Sequence, residues 1–399
     1  MLEHLNRLPP DPILGLMVSF REDRDPRKID LGVGVYRDET GETPIMQCVR
    51  EAEQRVLASE TTKTYVAAAG NAGFNDAMAR LVLGDGHPAL TSGRLRVIQS
   101  PGGSGALRLG AGLLRVAAED AVVYVSSPTW ANHPPFLTSC GLKLGTYPYF
   151  DPATAGVAFE AMMSALEGLP PRSVVLLHAS CHNPTGADLD PGQWREVLAL
   201  IRRRSLLPFI DIAYQGLGEG LEQDAFAPRL FCAELPEALV AVSCSKNFGL
   251  YRERTGCLLV LGETGAAADA ALSHLVRIAR GLYSTSPDHG AAVVHEILTR
   301  EPLRASWRAE LEGMRLRIAG LREQAVRRLS EACPGEDFSY IARQRGMFSY
   351  LKIDPGQARE LRERHHIYMM EDGRINVAGL RSDNLAYFAQ ALAKICGPR

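Results

Sequence analysis

A chain of 399 residues, 46% hydrophobic and 23% charged, is long enough for two domains and a substantial core, which excludes a single small module. Its formal net charge of −2 lacks the basic excess of nucleic-acid or membrane-surface binding, and neither partner is expected. Eight widely spaced cysteines with no C-x-x-C or zinc-type pattern point to reduced thiols. With no apolar stretch of membrane-spanning length and no signal-peptide pattern, a soluble, cytoplasmic protein is expected.

In chain order, "MLEHLNRLPPDP" with its proline pair predicts an extended N-terminal arm over 1–11, lying on a partner subunit. "KIDLGVGVYRDETGE" follows as a hairpin-like region. From about residue 95 to 262, seven short apolar, β-branched runs alternate with helix-period segments: "RVIQ", "AVVYVSSP", "LKLGTYPY", "SVVLLHAS", "LPFIDIAY", "LVAVSCS" and "CLLVLG". Several are apolar throughout, as expected of strands covered on both faces of a parallel-rich α/β sheet. The "RRR" at 202–204 reads as a helix end, where cations suit the dipole. Beyond 263 a long helix is expected over 300–333, then a strand at "MFSYLKI", a helix at "PGQARELRERH", strands at "IYMM" and "GRINVAG", and a closing helix capped by a Ser or Asp. The expected division is an arm at 1–11, a small α/β domain from 12–44 and 311–399, and a large domain at 45–310.

Ligands of such sheets bind at the loops after the strands' carboxyl ends. After the first strand, "SPGGSGALRLGAG" sets Gly103, Ser104 and Gly105 at a helix start, an anion cradle or a tight turn without ligand. "GSGALR" lacks the third glycine of a dinucleotide fingerprint, and the next strand ends without a ribose-binding acid, which disfavours an NAD-dependent oxidoreductase. "SSPTWANH" supplies Trp130, able to stack on a flat heterocycle or to cap the core, and His133. "HASCHNPTG" supplies Asn183, and "FIDIAYQG" puts Asp211 at a buried strand end with Tyr214 three residues on. The sixth strand runs into "SCSKNFGLYRERTG", where Lys246 stands among serines in a chain with only six lysines. A strand-end lysine can snorkel to solvent, or its lowered pKa can make it a Schiff-base nucleophile or base. One ligand would use all of these groups: pyridoxal phosphate, which needs an amine, an acid for its ring nitrogen, a stacking ring, donors to the ring oxygen and a phosphate site.

"CHNPTG", "DIAYQG", "SKNFGLYRERTG" and "GRINVAG", in this order and spacing, closely resemble the class I aminotransferases of the aspartate and aromatic amino acid type, and the likeness spans nearly the whole chain. That resemblance implies fold type I of the pyridoxal-phosphate-dependent transferases: a mostly parallel seven-stranded sheet, a small α/β domain and a homodimer with shared active sites. It implies that Lys246 holds pyridoxal 5'-phosphate and moves a proton, that Asp211 pairs with the ring nitrogen backed by His133 and His178, and that Tyr214 and Asn183 meet the ring oxygen under Trp130. Phosphate would meet Gly103, Ser104, Ser243 and Arg254, with Tyr65 from the other subunit. Arg374 would clamp the substrate α-carboxylate and Arg280, from the partner, a distal one; Gly34 and Tyr36 would lie on a segment closing over substrate, with Phe348 nearby. The resemblance further implies cis bonds at Ser127-Pro128 and Asn183-Pro184.

Ser104, Thr285, "TYPYFD" and "RGMFSY" lean towards the aromatic branch, whereas Thr285-Ser286 and Asp372 depart from both branches. An acid two residues from Arg374 is expected to reshape carboxylate binding. The expected activity is transfer of an amino group between an aromatic or acidic L-amino acid and 2-oxoglutarate. The alternatives are an aspartate aminotransferase or a specialised biosynthetic relative.

Overall fold

The computed structural model describes residues 2–7 and 12–396, so the proline pair, with residues 1 and 8–11 of the expected arm, lies outside the described residues. Leu2–His4 forms one exposed 3-10 turn. The chain divides into two compact units, one of residues 44–317 and 344–346 and one of residues 2–43, 318–343 and 347–396.

In the larger unit the seven apolar runs form one seven-stranded sheet: β1 (Leu95–Pro101), β2 (Val122–Ser127), β3 (Lys143–Pro148), β4 (Val174–His178), β5 (Leu207–Ile212), β6 (Ala238–Ser243) and β7 (Thr255–Leu261). Their order is β1-β7-β6-β5-β4-β2-β3, parallel throughout except β7, which runs antiparallel to both β1 and β6. Strands β4, β6 and β7 are buried at every position, which explains why they read as unbroken apolar runs. Helix α1 (Gly102–Ala117) lies on β6 and β7 and brings Gly110 against the Phe209 ring, where a side chain would collide. Ile98, Leu109, Val125, Phe209 and Leu258 are among the core residues of this face. The helix Pro191–Arg204 starts on an Asp190–Gln193 capping box and ends in the three arginines, as expected from the dipole.

Gly256 on β7 shows how tightly α1 is seated. A Cβ there would run into the Val242 carbonyl and lie 2.6 Å from the Gly102 carbonyl carbon and 2.9 Å from the Gly103 nitrogen. All three are backbone atoms that cannot rotate aside, so Gly256→Ala is expected to destabilise the protein by about 1–3 kcal/mol. Urea denaturation of the variant and the parent checks this; an unchanged midpoint would mean that α1 is not held at this distance.

The smaller unit takes strands from both chain ends. Ile29–Asp30 pairs in parallel with Ile367–Tyr368, and Phe348–Tyr350 pairs antiparallel with Arg374–Asn376. The hairpin expected at 28–42 is absent: only Ile29–Asp30 is strand. The next residues are irregular because Asn376 holds them, donating from Nδ2 to the Val33 and Val35 carbonyls and from its backbone N–H to Leu31. The expected helices appear at Glu301–Ala332, Pro355–His365 and Leu385–Cys396. The last begins after Asn384, not at Ser382 or Asp383; the Asp383 carboxylate instead pairs with Arg381 at 2.9 Å. Arg322, buried, donates to the Ile341 and Phe348 carbonyls and to Ser349 Oγ, tying the long helix to its strand neighbours. All eight cysteines are free, and among the described residues no helix is long and apolar enough to cross a membrane.

Candidate active site

In the larger unit the carboxyl ends of β5 and β6 bring Asp211 and Lys246 into one electrostatic neighbourhood. Asp211 is buried, and its Oδ2 accepts a hydrogen bond from His133 Nε2 at 3.0 Å. Thr129 Oγ1 lies 2.8 Å from His133 Nδ1 and 3.3 Å from His178 Nε2, so one hydroxyl links the two imidazoles behind the acid. Burial alone would raise the Asp211 carboxyl. The His133 hydrogen bond and the influence of His133, His178 and Lys246 outweigh it, and the group is held below its ordinary value as a carboxylate. Burial, with repulsion from His133, drives His178 down to about 3 against the attraction of Asp211, so this imidazole is neutral at physiological pH.

Lys246 Nζ stands 5.0 Å from the centre of the Tyr214 ring. Part of the side chain reaches solvent, yet the amine is densely surrounded. Burial lowers its pKa, Asp211 pushes it back up and Arg254 lowers it again, leaving about 8. An amine so placed is easily deprotonated, which suits a nucleophile or base. The sign for stability follows. A lysine depressed from about 10.5 to about 8 weakens the fold where it is charged, below about pH 8, and the penalty fades as pH rises towards the unfolded value. Lys246→Met is therefore expected to stabilise the cofactor-free protein by about 2–3 kcal/mol at pH 7 and by much less at pH 10. Paired urea titrations at the two pH values test this; equal gains at both would mean that the amine is not depressed.

The start of α1 forms the third part. Gly102 has φ +72° and no side chain caps the helix, so its first N–H groups carry no side-chain acceptor. A Cβ on Gly102 would lie 2.7 Å from Arg254 Nη2, and one on Gly103 would lie 2.9 Å from Ser243 Cβ. A guanidinium, a serine and an uncapped helix start thus converge, which is the chemistry of a phosphate site. Arg254 is itself in the left-handed region at φ +53°, a local strain that this position imposes on a non-glycine residue.

Trp130, half-buried, meets His133 edge-on with centroids 5.3 Å apart. Asn183 is buried, and Ser127-Pro128 and Asn183-Pro184 are both cis, as the resemblance implies. Ser104 lies in the first turn of α1. Two residues stand away from this cluster's buried groups. Tyr65 is 90% exposed, and Arg280 is exposed on the helix Gly265–Leu282, donating to Ser284 Oγ at 2.9 Å.

In the smaller unit Arg374 is buried, its guanidinium 4.9 Å from the Phe348 ring centre, and Nη2 donates to the Gly32 carbonyl at 2.7 Å. Phe348 Cζ sits 2.9 Å from where a Gly34 Cβ would be, so the ring occupies the space this glycine leaves open. Tyr36 is buried near the end of the same stretch. Asp372 turns its Oδ1 to the Arg374 backbone N–H at 3.0 Å.

Three features escaped sequence reasoning. Thr129 lies in the quoted "SSPTWANH" but carries no signal beyond its loop. His182 is buried, with Nε2 3.0 Å from Ser126 Oγ, Nδ1 2.9 Å from Thr185 Oγ1 and its ring stacked on Tyr149 at 4.1 Å. Buried Asp30 pairs with half-buried Arg37 across the glycine stretch of the smaller unit.

With this geometry, comparison with known proteins is informative. The chain matches the family model described as aminotransferase class I and II over residues 26–392. It is 48% identical to the aromatic-amino-acid aminotransferase of Pseudomonas aeruginosa, covering 98% of both chains. It is 42% identical to the aspartate aminotransferase of Escherichia coli, over 99% of this chain and all of the relative. Among solved structures it is similar to the aromatic-amino-acid aminotransferase from Burkholderia pseudomallei covalently bound to pyridoxal phosphate, at 43% identity and TM-score 0.97 over 99% of both chains. The chain belongs to the class I and II aminotransferase family. It is an aminotransferase, and its seven-stranded, mostly parallel sheet is that of the expected fold type.

Proposed function

We propose that the protein uses pyridoxal 5'-phosphate to move an amino group between an aromatic or acidic L-amino acid and 2-oxoglutarate. The observation that carries the reading is the convergence of a depressed amine at Lys246, a buried carboxylate at Asp211 and an uncapped helix start facing Arg254. These residues fit the cofactor: the space over Gly102, which a Cβ would fill, suits a phosphate. When bound, the cofactor supplies an aldehyde for the amino group and a cationic ring that draws electrons from the substrate α-carbon. Gly103, Ser104, Ser243 and Arg254 would hold its phosphate, Asn183 and Tyr214 its ring oxygen, and Trp130 its face. Lys246 would attach it and move the proton at the α-carbon, while Asp211, backed by His133, Thr129 and His178, would supply the negative charge that keeps the ring nitrogen protonated. Arg374 would clamp the α-carboxylate in a fork that lysine cannot match, beside Gly34 and Phe348.

The same reading makes the protein a homodimer in which Tyr65 and Arg280, both exposed on a single chain, serve the partner's site. A cytoplasmic setting accords with eight free thiols. The aromatic preference is supported by the higher identity to the aromatic-amino-acid enzyme, 48% against 42% for the aspartate enzyme. Single-turnover absorbance with phenylalanine, tyrosine, glutamate and aspartate tests it. Comparable rates for tyrosine and glutamate are expected, and a response to aspartate and glutamate alone would replace this reading with an aspartate aminotransferase.

A further inference from the structure

We propose that the ion pair between buried Asp30 and half-buried Arg37 is a positioning device for Arg374, acting through the backbone at Gly32. Arg37 Nη2 donates to Asp30 Oδ2 at 2.6 Å, with the acid side chain only 6% exposed, and Nη1 donates to the Gly41 carbonyl at 3.0 Å. The other oxygen of Asp30, Oδ1, accepts from the backbone N–H of Gly32 at 3.0 Å and more weakly from that of Val33 at 3.4 Å. The peptide joining Gly32 to Val33 is therefore engaged at both ends: its N–H faces Asp30, and its carbonyl accepts from Arg374 Nη2 at 2.7 Å. Hydrogen bonds in series polarise one another, so a carboxylate on the N–H side strengthens the carbonyl as acceptor for the guanidinium.

The geometry fixes direction as well as strength. The Gly32 carbonyl points at Arg374 only while the 31–35 stretch keeps its irregular course, and that course has two anchors, Asp30 on one side and Asn376 on the other. Gly32 is free of a side chain for a visible reason: its Cβ would run into Leu16 of the helix Pro12–Glu22. Arg37 completes the device by neutralising Asp30. Without it, the buried Asp30 carboxylate would lose its ion-pair partner, a costly arrangement that invites rearrangement of the stretch carrying the Gly32 carbonyl. Asp30 and Arg37 are thus positioning residues, and their effect falls on recognition of the α-carboxylate.

The inference rests on Arg374 being that clamp, and the experiment separates the two. Holoenzyme carrying Asp30→Ala, Asp30→Asn, Arg37→Met or Arg374→Lys, and the Asp30→Ala/Arg374→Lys double variant, is mixed with L-phenylalanine or with 2-phenylethylamine, which lacks the α-carboxylate. The apparent dissociation constant and the limiting single-turnover rate are read by absorbance, and thermal melting confirms that each variant is folded. Asp30→Ala is expected to raise the dissociation constant for phenylalanine about tenfold and Arg37→Met about threefold, with little change in limiting rate. Asp30→Asn keeps an acceptor for the Gly32 N–H and should recover part of the loss. The amine's rate should not respond to any of these changes, and Asp30→Ala should add almost nothing on top of Arg374→Lys. Equal losses for phenylalanine and the amine, or fully additive losses in the double variant, would overturn the positioning role while leaving the clamp intact. Unchanged phenylalanine binding in Arg374→Lys would remove the clamp itself, and this inference with it.

Discussion

Lys246→Ala is expected to lower kcat by about 10⁴-fold or more, the upper range for removal of a positioned general base. Among the described residues of the larger unit no second amine is placed to take over. Within the larger unit the other lysines are Lys63 and Lys143, which pair with Glu60 and Asp120 on the surface. Lys143→Ala, which breaks one of those surface pairs, therefore serves as the control and should keep full activity. Absorbance should distinguish the variant too, because without the amine at 246 added pyridoxal phosphate is held only by its non-covalent contacts and is removed by dialysis. Steady-state turnover within tenfold of the parent would eliminate Lys246 as the acting base.

Asp211→Asn is expected to cost about 10²–10³-fold in kcat, the scale on which a preorganised electrostatic partner contributes. Asparagine is nearly the same shape and its carbonyl oxygen can still accept from His133, so the hydrogen-bond chain through Thr129 to His178 is preserved and the loss reports the charge. Because the native carboxyl titrates below its ordinary value, the charge is present across the working pH range. Restoring turnover by shifting pH alone is accordingly not expected. Turnover measured from pH 6 to 9, with protein folding followed in parallel, decides the matter; a variant with parental kcat would show that the buried charge has no part in the reaction.

Much of this site could be read from single loops because its parts are local. Gly103 and Ser104, the Asp211–Tyr214 spacing and Lys246 each stand at or just after the end of one strand, and strand ends in such sheets face ligands. Burial of the strands on both faces was equally legible, since β4, β6 and β7 could be apolar throughout only if nothing solvated either side. What resisted reading was pairing over long separations. Ile29 meets Ile367, and the supposed hairpin partner within 28–42 loses to a strand more than three hundred residues away, because hydrogen-bonding partners of a two-residue strand leave no periodicity in the chain.

The amino-acid order by itself determined the α/β class, the seven strands, helices such as Pro191–Arg204 and Pro355–His365, and the residue types gathered for amine, acid and phosphate chemistry. These are set by side-chain periodicity, capping groups and turn geometry within a few residues. Only the tertiary structure decided that Thr129 joins two histidines behind Asp211, that Arg254 covers Gly102, and that Asp30 and Arg37 brace the carbonyl that holds Arg374. Each of these depends on distances between segments remote in the chain, and such distances are fixed by how the core packs as a whole.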